Sequence, residues 1–182
     1  MIPNTSHLPR PRTLIHPGRL NPVRIQSMET ARTRHVRLSL EPGRSLFDAI
    51  VEPLAILKIT SASMTILGGY ASRLQYCVAP PDPSGQAVIA YSAPIDCGPS
   101  YFIFGNATLG TSFNNTPLVH CHATICTDEG MVRGGHIIPQ TTIIGAAPIS
   151  VLVVSLDDLE LRQSYDPETN ISLLQPFRKV ML

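Results

Sequence analysis

The segment Leu118–Ile137 reads LVHCHATICTDEGMVRGGHI, and it carries the clearest structural signal of the chain. Residues with high β-propensity flank the run Asp128-Glu129-Gly130 on both sides. Asp and Gly are turn formers, and two β-rich runs joined by such a short segment are typical of a β-hairpin. The pattern therefore predicts a hairpin whose turn is centred on residue 129, in a fold built largely around a sheet.

Three histidines of this hairpin are predicted to meet. Side chains alternate along a strand, so His120 and His122 point to one face and Cys121 points to the other. In an antiparallel pair centred on residue 129, His136 lies directly opposite His122, with His120 on the diagonal. Paired Cβ atoms lie about 4.5–5.5 Å apart and diagonal ones about 7–8 Å. A bulge at Gly134-Gly135 would change this register by one residue.

Such a cluster is suited to a metal ion. Three imidazoles at these separations can converge on one ion about 2.0–2.1 Å from each nitrogen. Neutral histidines favour zinc, with nickel, iron or copper as rival divalent transition metals. A three-histidine set leaves a fourth position for water or substrate, which is the pattern of catalytic rather than structural zinc sites. The competing interpretation is that each histidine is an ordinary structural residue of its strand.

The rest of the chain predicts one helix and about seven strands, an α+β pattern. His35–Leu40 alternates as a half-buried strand does, and Ser45 is suited to cap a helix with Asp48 three residues further on. Pro53 should kink or shorten that helix. Further strands are predicted near residues 60–67, 70–78, 87–91, 101–109 and 149–156.

Length and composition limit the class of protein. The chain has 182 residues, of which 43% are hydrophobic and 15% charged, enough for one domain with a substantial core. No apolar run reaches the roughly 18 residues of a membrane span, and the N-terminus lacks the apolar region of a secretory signal. A cytoplasmic protein without membrane contact is therefore expected. The four cysteines form no CxxC pair and are predicted to be buried thiols.

Charge divides the chain into two parts. Residues 1–34 contain six arginines and one acidic residue, whereas the remainder has eight basic and twelve acidic residues. We predict a Pro/Arg-rich extended arm (1–33), a domain (34–178) and a short C-terminal tail (179–182). The arm is interpreted as a contact for nucleic acid or a neighbouring subunit, as a loose tail, or as an upstream extension before Met28. The acidic domain does not favour nucleic-acid binding, because it repels phosphates.

Several motifs together resemble one known family, the plant and prokaryote conserved (PPC) domain. The resemblance covers about residues 33–177, and it rests on Leu40–Leu46, Gly105-Asn106-Ala107, His120-Cys121-His122, Gly130, Gly134-Gly135-His136, Arg162 and Asp166-Pro167-Glu168-Thr169-Asn170. It implies an α+β fold, with a mixed, largely antiparallel sheet packed against one main helix, a homotrimer, and a metal held by the three histidines. The architecture is similar to that of acetolactate decarboxylase and of a zinc-dependent ester hydrolase. Plant members carry AT-hooks, which this chain lacks, so their DNA-binding role does not carry over.

The leading functional hypothesis is a metal-dependent hydrolase or lyase that acts on a small carbonyl or ester compound. Glu129, Arg133 and Arg162 are candidate catalytic residues, although the first two are equally well read as solvated turn charges. Arg162 and Asp166 are interpreted as partners in a structural salt bridge. Weaker candidates for the site are Tyr70, Tyr76 and Asn106.

Two other hypotheses belong to different functional classes. The first is a trimeric binding or regulatory module that senses a small ligand or binds DNA non-specifically through the basic arms. The second is a structural role, in which the metal only stabilises the hairpin. The sequence contains no Ser-His-Asp or Gly-x-Ser-x-Gly signature that would indicate a nucleophile other than water.

Overall fold

A computed structural model describes residues 14–24 and 26–179. Within these residues the chain forms one helix and a sheet of 12 strands. The helix is α1 (Leu46–Ile56). The strands are β1 (His35–Leu40), β2 (Ala62–Ile66), β3 (Gly69–Arg73), β4 (Gln75–Cys77), β5 (Ile95–Asp96), β6 (Ser100–Thr111), β7 (Pro117–Thr127), β8 (Val132–Ile137), β9 (Ile143–Ile144), β10 (Ile149–Ser155), β11 (Leu159–Asp166) and β12 (Ile171–Arg178).

The sheet is almost entirely antiparallel. Its main path runs β1-β10-β2-β6-β7-β8-β4-β5. Off this path, β3 pairs with β6, and β9 pairs with β3. The β11–β12 hairpin joins this path through one parallel bridge, between Arg162 and Thr111. The fold is thus α+β with a largely antiparallel sheet, as the sequence predicts.

Burial alternates along the central strands, so the sheet has an inner and an outer face. Inward side chains such as Met64, Val151 and Val153 are buried, and they share one core with Ile50 and Leu54 of α1. Burying this apolar surface is the main stabilising contribution to the fold. The outer face is defined by a row of residues paired from strand to strand: Arg37, Leu152, Thr65, Asn106, His122 and His136.

The N-terminus of α1 confirms the predicted cap. The Ser45 hydroxyl oxygen accepts a hydrogen bond from the Asp48 amide at 3.0 Å, and it donates to the Asp48 carboxylate at 2.6 Å. The carboxylate in the first turn also interacts favourably with the helix dipole. The helix continues three residues beyond Pro53 and ends at Ile56. Proline therefore occurs near the end of this helix without terminating it at once.

One predicted strand is wrong. Residues 87–91 form no strand and belong to a loop, whose stem is closed by hydrogen bonds from the amides of Ala90 to Pro80 and Ser92 to Val78. The Asp82 carboxylate caps the turn at the tip by accepting amide hydrogen bonds. The amide of Val88 donates instead to the carbonyl of Thr169, which is distant in sequence. A tertiary contact therefore replaces the strand pairing that local β-propensity favours.

The sequence pattern also fails to predict β11 and β12. Both strands are largely half-exposed, so the alternation of buried and exposed side chains is weak along them. Pro176 lies within β12, and proline argues against a central strand. It is tolerated here because β12 is an edge strand, which among the described strands pairs with β11 alone.

The described part of the arm contacts its own chain at the turn between β11 and β12. Arg24 forms ion pairs with Asp166 at 3.0 Å and with Glu168 at 3.3 Å. His16 Nδ1 lies 2.5 Å from the Glu168 carboxylate, whose second oxygen accepts the Asn21 amide at 2.7 Å. We call these five residues the clasp. The carboxylates of Asp166 and Glu168 are both buried, and each has charged or polar partners.

The clasp corrects one prediction and leaves others outside the described residues. Asp166 pairs with Arg24 rather than with Arg162, which pairs with Glu160 at 2.6 Å. Sequence reasoning could not foresee this, because the partners are 142 residues apart. The predictions for residues 1–13 and 180–182 lie outside the described residues. No helix among the described residues is long and apolar enough to cross a membrane.

Candidate metal centre

The hairpin of β7 and β8 has the predicted register. His122 pairs directly with His136, and pairing is continuous from Cys121–Ile137 to Cys126–Val132, without a bulge at the two glycines. Gly130 takes the left-handed conformation with φ of 77° in the turn, which glycine adopts at little cost. Strand alternation and a local turn are therefore enough to place the histidines on one face.

The three histidines form a compact group. One ring nitrogen from each of His120, His122 and His136 lies within 4.8 Å of the others. The ring centroid of His120 is 4.8 Å from that of His122 and 4.8 Å from that of His136. The ring centroids of His122 and His136 are 5.5 Å apart. Imidazoles at these separations have the reach to share one ion at about 2.0–2.1 Å.

The two glycines of β8 make room for the neighbouring strands. A Cβ atom on Gly135 would lie 2.5 Å from the carbonyl oxygen of Cys77 and 2.8 Å from the ring of Tyr76. A Cβ atom on Gly134 would lie 2.7 Å from the carbonyl oxygen of Ala123. Real Cβ atoms do not approach so closely, so larger residues would displace β4 or β7 from the strand that carries His136.

The environment favours the neutral form of two of the histidines, His120 and His136. The pKa of His120 is lowered to about 4, first by desolvation and then by the positive charges of His136 and His122. The pKa of His136 is also lowered, by desolvation and by His122. Neutral imidazole is the form that binds a metal, because the ligand nitrogen must be deprotonated. Near pH 7 His120 and His136 are therefore already in the form that can bind a metal, without first losing a proton.

One ring nitrogen at the cluster has no partner. Nδ1 of His136 is buried and makes no hydrogen bond among the described residues. Buried polar atoms are rarely left without a partner, because their desolvation then goes uncompensated. A metal ion supplies such a partner, so the histidine set fits the group that the sequence predicts.

The surroundings of the cluster are polar but uncharged. Asn106 lies opposite His122, and Thr108 lies opposite His120, across the β6–β7 pair. The Tyr91 ring centroid is 5.1 Å from that of His136. Asn106 was a sequence candidate, whereas Thr108 and Tyr91 were not. Alternation along β6 would have pointed to Thr108, but nothing local places the loop that carries Tyr91.

Among the described residues, no cysteine sulfur belongs to the group formed by the three histidine nitrogens. Cys121 is buried on the inner face, and burial raises the pKa of its thiol to about 12. The thiolate is the form that binds metals, so a buried neutral thiol is a poor ligand. The prediction that Cys121 points away from the histidines is confirmed.

The three catalytic candidates lie away from the cluster. Glu129 and Arg133 line a cavity of about 380 Å³ at the turn end of the hairpin. Arg133 is three residues from His136 along β8, which corresponds to about 10 Å. Arg162 lies on β11, where its guanidinium carbon is 5.7 Å from the centroid of the Phe177 ring and its head group pairs with Glu160.

The weaker tyrosine candidates also have other contacts. The Tyr70 hydroxyl donates to the Asp128 carboxylate at 3.4 Å, near the hairpin turn. Tyr76 is buried and shares the core with the inward side chains. Of the residues named from sequence, the structure thus brings Asn106 alone beside the three histidines.

Fold and site define a class: a single-helix, antiparallel-sheet domain with three histidines clustered on one hairpin. The chain belongs to the Plants and Prokaryotes Conserved (PCC) domain family, whose model matches residues 27–157. The resemblance found in the sequence is therefore confirmed. No curated protein matches the sequence significantly.

Three known structures share the fold. A metal-containing protein from Archaeoglobus fulgidus is 18% identical, with a TM-score of 0.64, over 83% of this chain and 98% of that one. A plant- and prokaryote-conserved protein from Pyrococcus horikoshii is 17% identical, with a TM-score of 0.60, over 87% and 99%. A protein from Ralstonia eutropha, named as a candidate DNA-binding protein, is 17% identical, with a TM-score of 0.60, over 77% and 88%. At these identities the similarity shows the fold alone.

Proposed function

We propose that this protein binds a divalent transition metal, with zinc the leading candidate, through His120, His122 and His136. The observation that carries the proposal is the mutual approach of three ring nitrogens to within 4.8 Å on one hairpin. The unpartnered Nδ1 of His136 and the lowered pKa values of His120 and His136 support it. A relative of the same fold is described as metal-containing, which agrees with the proposal.

We further propose that the site acts on a small carbonyl or ester compound, as a hydrolase or lyase. The metal would supply Lewis-acid polarisation and activation of water. The protein's own contribution is to hold three neutral imidazoles in place and to leave one side of the group open to solvent, since His120 and His122 are exposed. Asn106 and Thr108 are placed to orient a ligand there.

The first experiment is the metal content per chain, measured by mass spectrometry on protein purified without a histidine tag. We expect about one equivalent of zinc in the parent protein and little in the His122→Ala variant. His35→Ala is the matched control, because His35 is an exposed strand histidine outside the cluster. Metal retention by His122→Ala, or its equal loss from the control, would contradict the assignment. Zinc-dependent hydrolysis of model esters that His122→Ala abolishes would then support the enzymatic role.

The second candidate function is a trimeric binding or regulatory module, and one observation favours self-association. Phe104 on β6 and Leu152 on β10 are large apolar side chains that are about half exposed (49% and 45%) on the outer face. Exposed apolar patches of this kind mark protein–protein contacts. Sedimentation velocity on the parent and on a Leu152→Glu variant tests this. A trimer that the variant weakens supports assembly through this face, and a monomeric parent would exclude it.

DNA binding through the arm is less well supported. Two of its arginines, Arg24 and Arg32, form ion pairs with acidic residues of their own chain, and so does Arg34, the first residue after the arm. Their positive charge is therefore partly compensated in the folded protein, which reduces the attraction for phosphates.

A further inference from the structure

The histidines carry no negative charge that would balance a bound dication. All three proposed ligands are neutral, so the metal charge of +2 stays uncompensated by them. Among the described residues, no Asp or Glu belongs to the group of side chains whose ligand atoms lie within 4.8 Å of one another.

The pairing of the strands shows why no carboxylate is near. On the β6 side, the cross-strand neighbours of His120 and His122 are Thr108 and Asn106. One strand further, on β2, these two residues are paired with Ser63 and Thr65. On the β4 side, His136 is paired with Cys77. The cross-strand neighbours of the cluster therefore offer hydroxyl, amide and thiol groups, and none of them is a carboxylate.

Two of these neutral groups also lack partners of their own. The exposed Asn106 amide and the half-buried Thr108 hydroxyl make no side-chain hydrogen bonds among the described residues. Both side chains can donate hydrogen bonds to an oxygen atom. They stand beside His122 and His120, on the open side of the cluster.

We propose, on the basis of the metal site proposed above, that this site selects a small carboxylate ligand, and that Asn106 and Thr108 bind its oxygen atoms. A carboxylate compensates part of the +2 charge that the three neutral histidines leave, and hydrogen bonds to a charged acceptor are stronger than those to a neutral one. A phosphate group fits less well, because its usual partners are arginine, lysine or helix N-termini. None of these is paired with the histidines.

The test compares two probes of nearly the same shape: isobutyrate, which is an anion, and isobutyramide, which is neutral. Each is titrated into cobalt(II)-loaded protein while the visible absorption of the metal is followed, so the readout does not depend on activity. We expect isobutyrate to bind at least about tenfold more tightly than isobutyramide, since charge-assisted hydrogen bonds are the stronger kind.

Variants then assign the binding groups. Asn106→Ala should weaken isobutyrate binding by about tenfold, the effect of losing one hydrogen bond to a charged group. Asn106→Asp should weaken it further, because it adds a negative charge beside the ligand. Thr65→Ala is the matched control, because Thr65 lies on the same face, one strand further from the histidines, and should leave binding unchanged.

Metal content is measured on every variant, and this separates the outcomes. Protein that binds cobalt but binds the two probes equally would overturn the carboxylate inference and leave the metal site standing. Equal effects of Thr65→Ala and Asn106→Ala would overturn the role given to Asn106. Protein that binds no metal even after reloading would overturn both the metal site and this inference.

Discussion

The clasp and the histidine cluster are both groups of polar side chains, but they differ in how their polar atoms are satisfied. In the clasp, the buried carboxylates of Asp166 and Glu168 accept hydrogen bonds or ion pairs from Arg24, His16 and Asn21. In the cluster, His120 and His122 are exposed, and Nδ1 of His136 is buried with no hydrogen-bond partner in the described part of the chain.

This difference separates a structural role from a functional one. Buried charges that have partners hold two segments together. When one partner is removed, the other charge stays buried without compensation for its lost hydration, which destabilises the fold. Polar groups without partners are held in place by the fold and stay available to a ligand. We therefore expect changes in the clasp to alter stability first, and changes in the cluster to alter binding first.

The largest expected effect is on the cluster side. Zinc at about 1,000 times its dissociation constant should raise the free energy of unfolding by about 4 kcal/mol, because it binds the native state. Urea unfolding of the parent with and without zinc measures this difference. In His122→Ala the gain should disappear while metal-free stability changes little, since His122 is exposed. An equal zinc effect in both proteins would mean that the ion binds elsewhere.

The next effect is on the clasp side. Arg24→Ala should lower Tm by roughly 5–10 °C, because it removes the cation shared by two buried carboxylates. Arg32→Ala is the control, since Arg32 also pairs with an aspartate but its side chain is 59% exposed. Surface pairs contribute little to stability, so the control should change Tm much less. Zinc binding should be the same in both variants, and a loss of metal in Arg24→Ala would erase the distinction between the two regions.

The smallest effect is the response of the clasp to acid. The pKa of Asp166 is lowered, chiefly by the hydrogen bond that the Thr169 hydroxyl donates, and that of Glu168 is lowered, chiefly by the Asn21 amide and then by His16. The unfolded chain therefore takes up these protons first as the pH falls. The stabilisation is present at neutral pH and is lost below about pH 4.5, as the solution approaches the lowered native pKa values.

Urea unfolding between pH 7 and pH 3 tests this prediction. Glu168→Gln should be less stable than the parent at pH 7 and should lose less stability on acidification, since glutamine does not titrate. Parallel pH profiles for the two proteins would show that Glu168 is not part of the acid response.

Elements with local signals were predictable in advance. The register of β7 with β8 follows from one turn and from alternation over a few residues, so the meeting of His122 with His136 could be worked out from the sequence. The cap at Ser45 is equally local. The segment at residues 87–91 was predicted as a strand because its side chains favour one, but its backbone bonds to Thr169 instead.

By itself, the sequence determined the histidine hairpin, the helix cap, the α+β class and the family, because each depends on residues close together in the chain or on a recognisable motif. Only the tertiary structure decided that Tyr91 packs against His136 and that Arg24 pairs with Asp166 and Glu168. It also decided that Asn106 and Thr108 lie beside the histidines with no side-chain hydrogen bonds to other described residues. These contacts join segments far apart in the chain. Their geometry depends on how the whole sheet packs, and local periodicity carries no information about it.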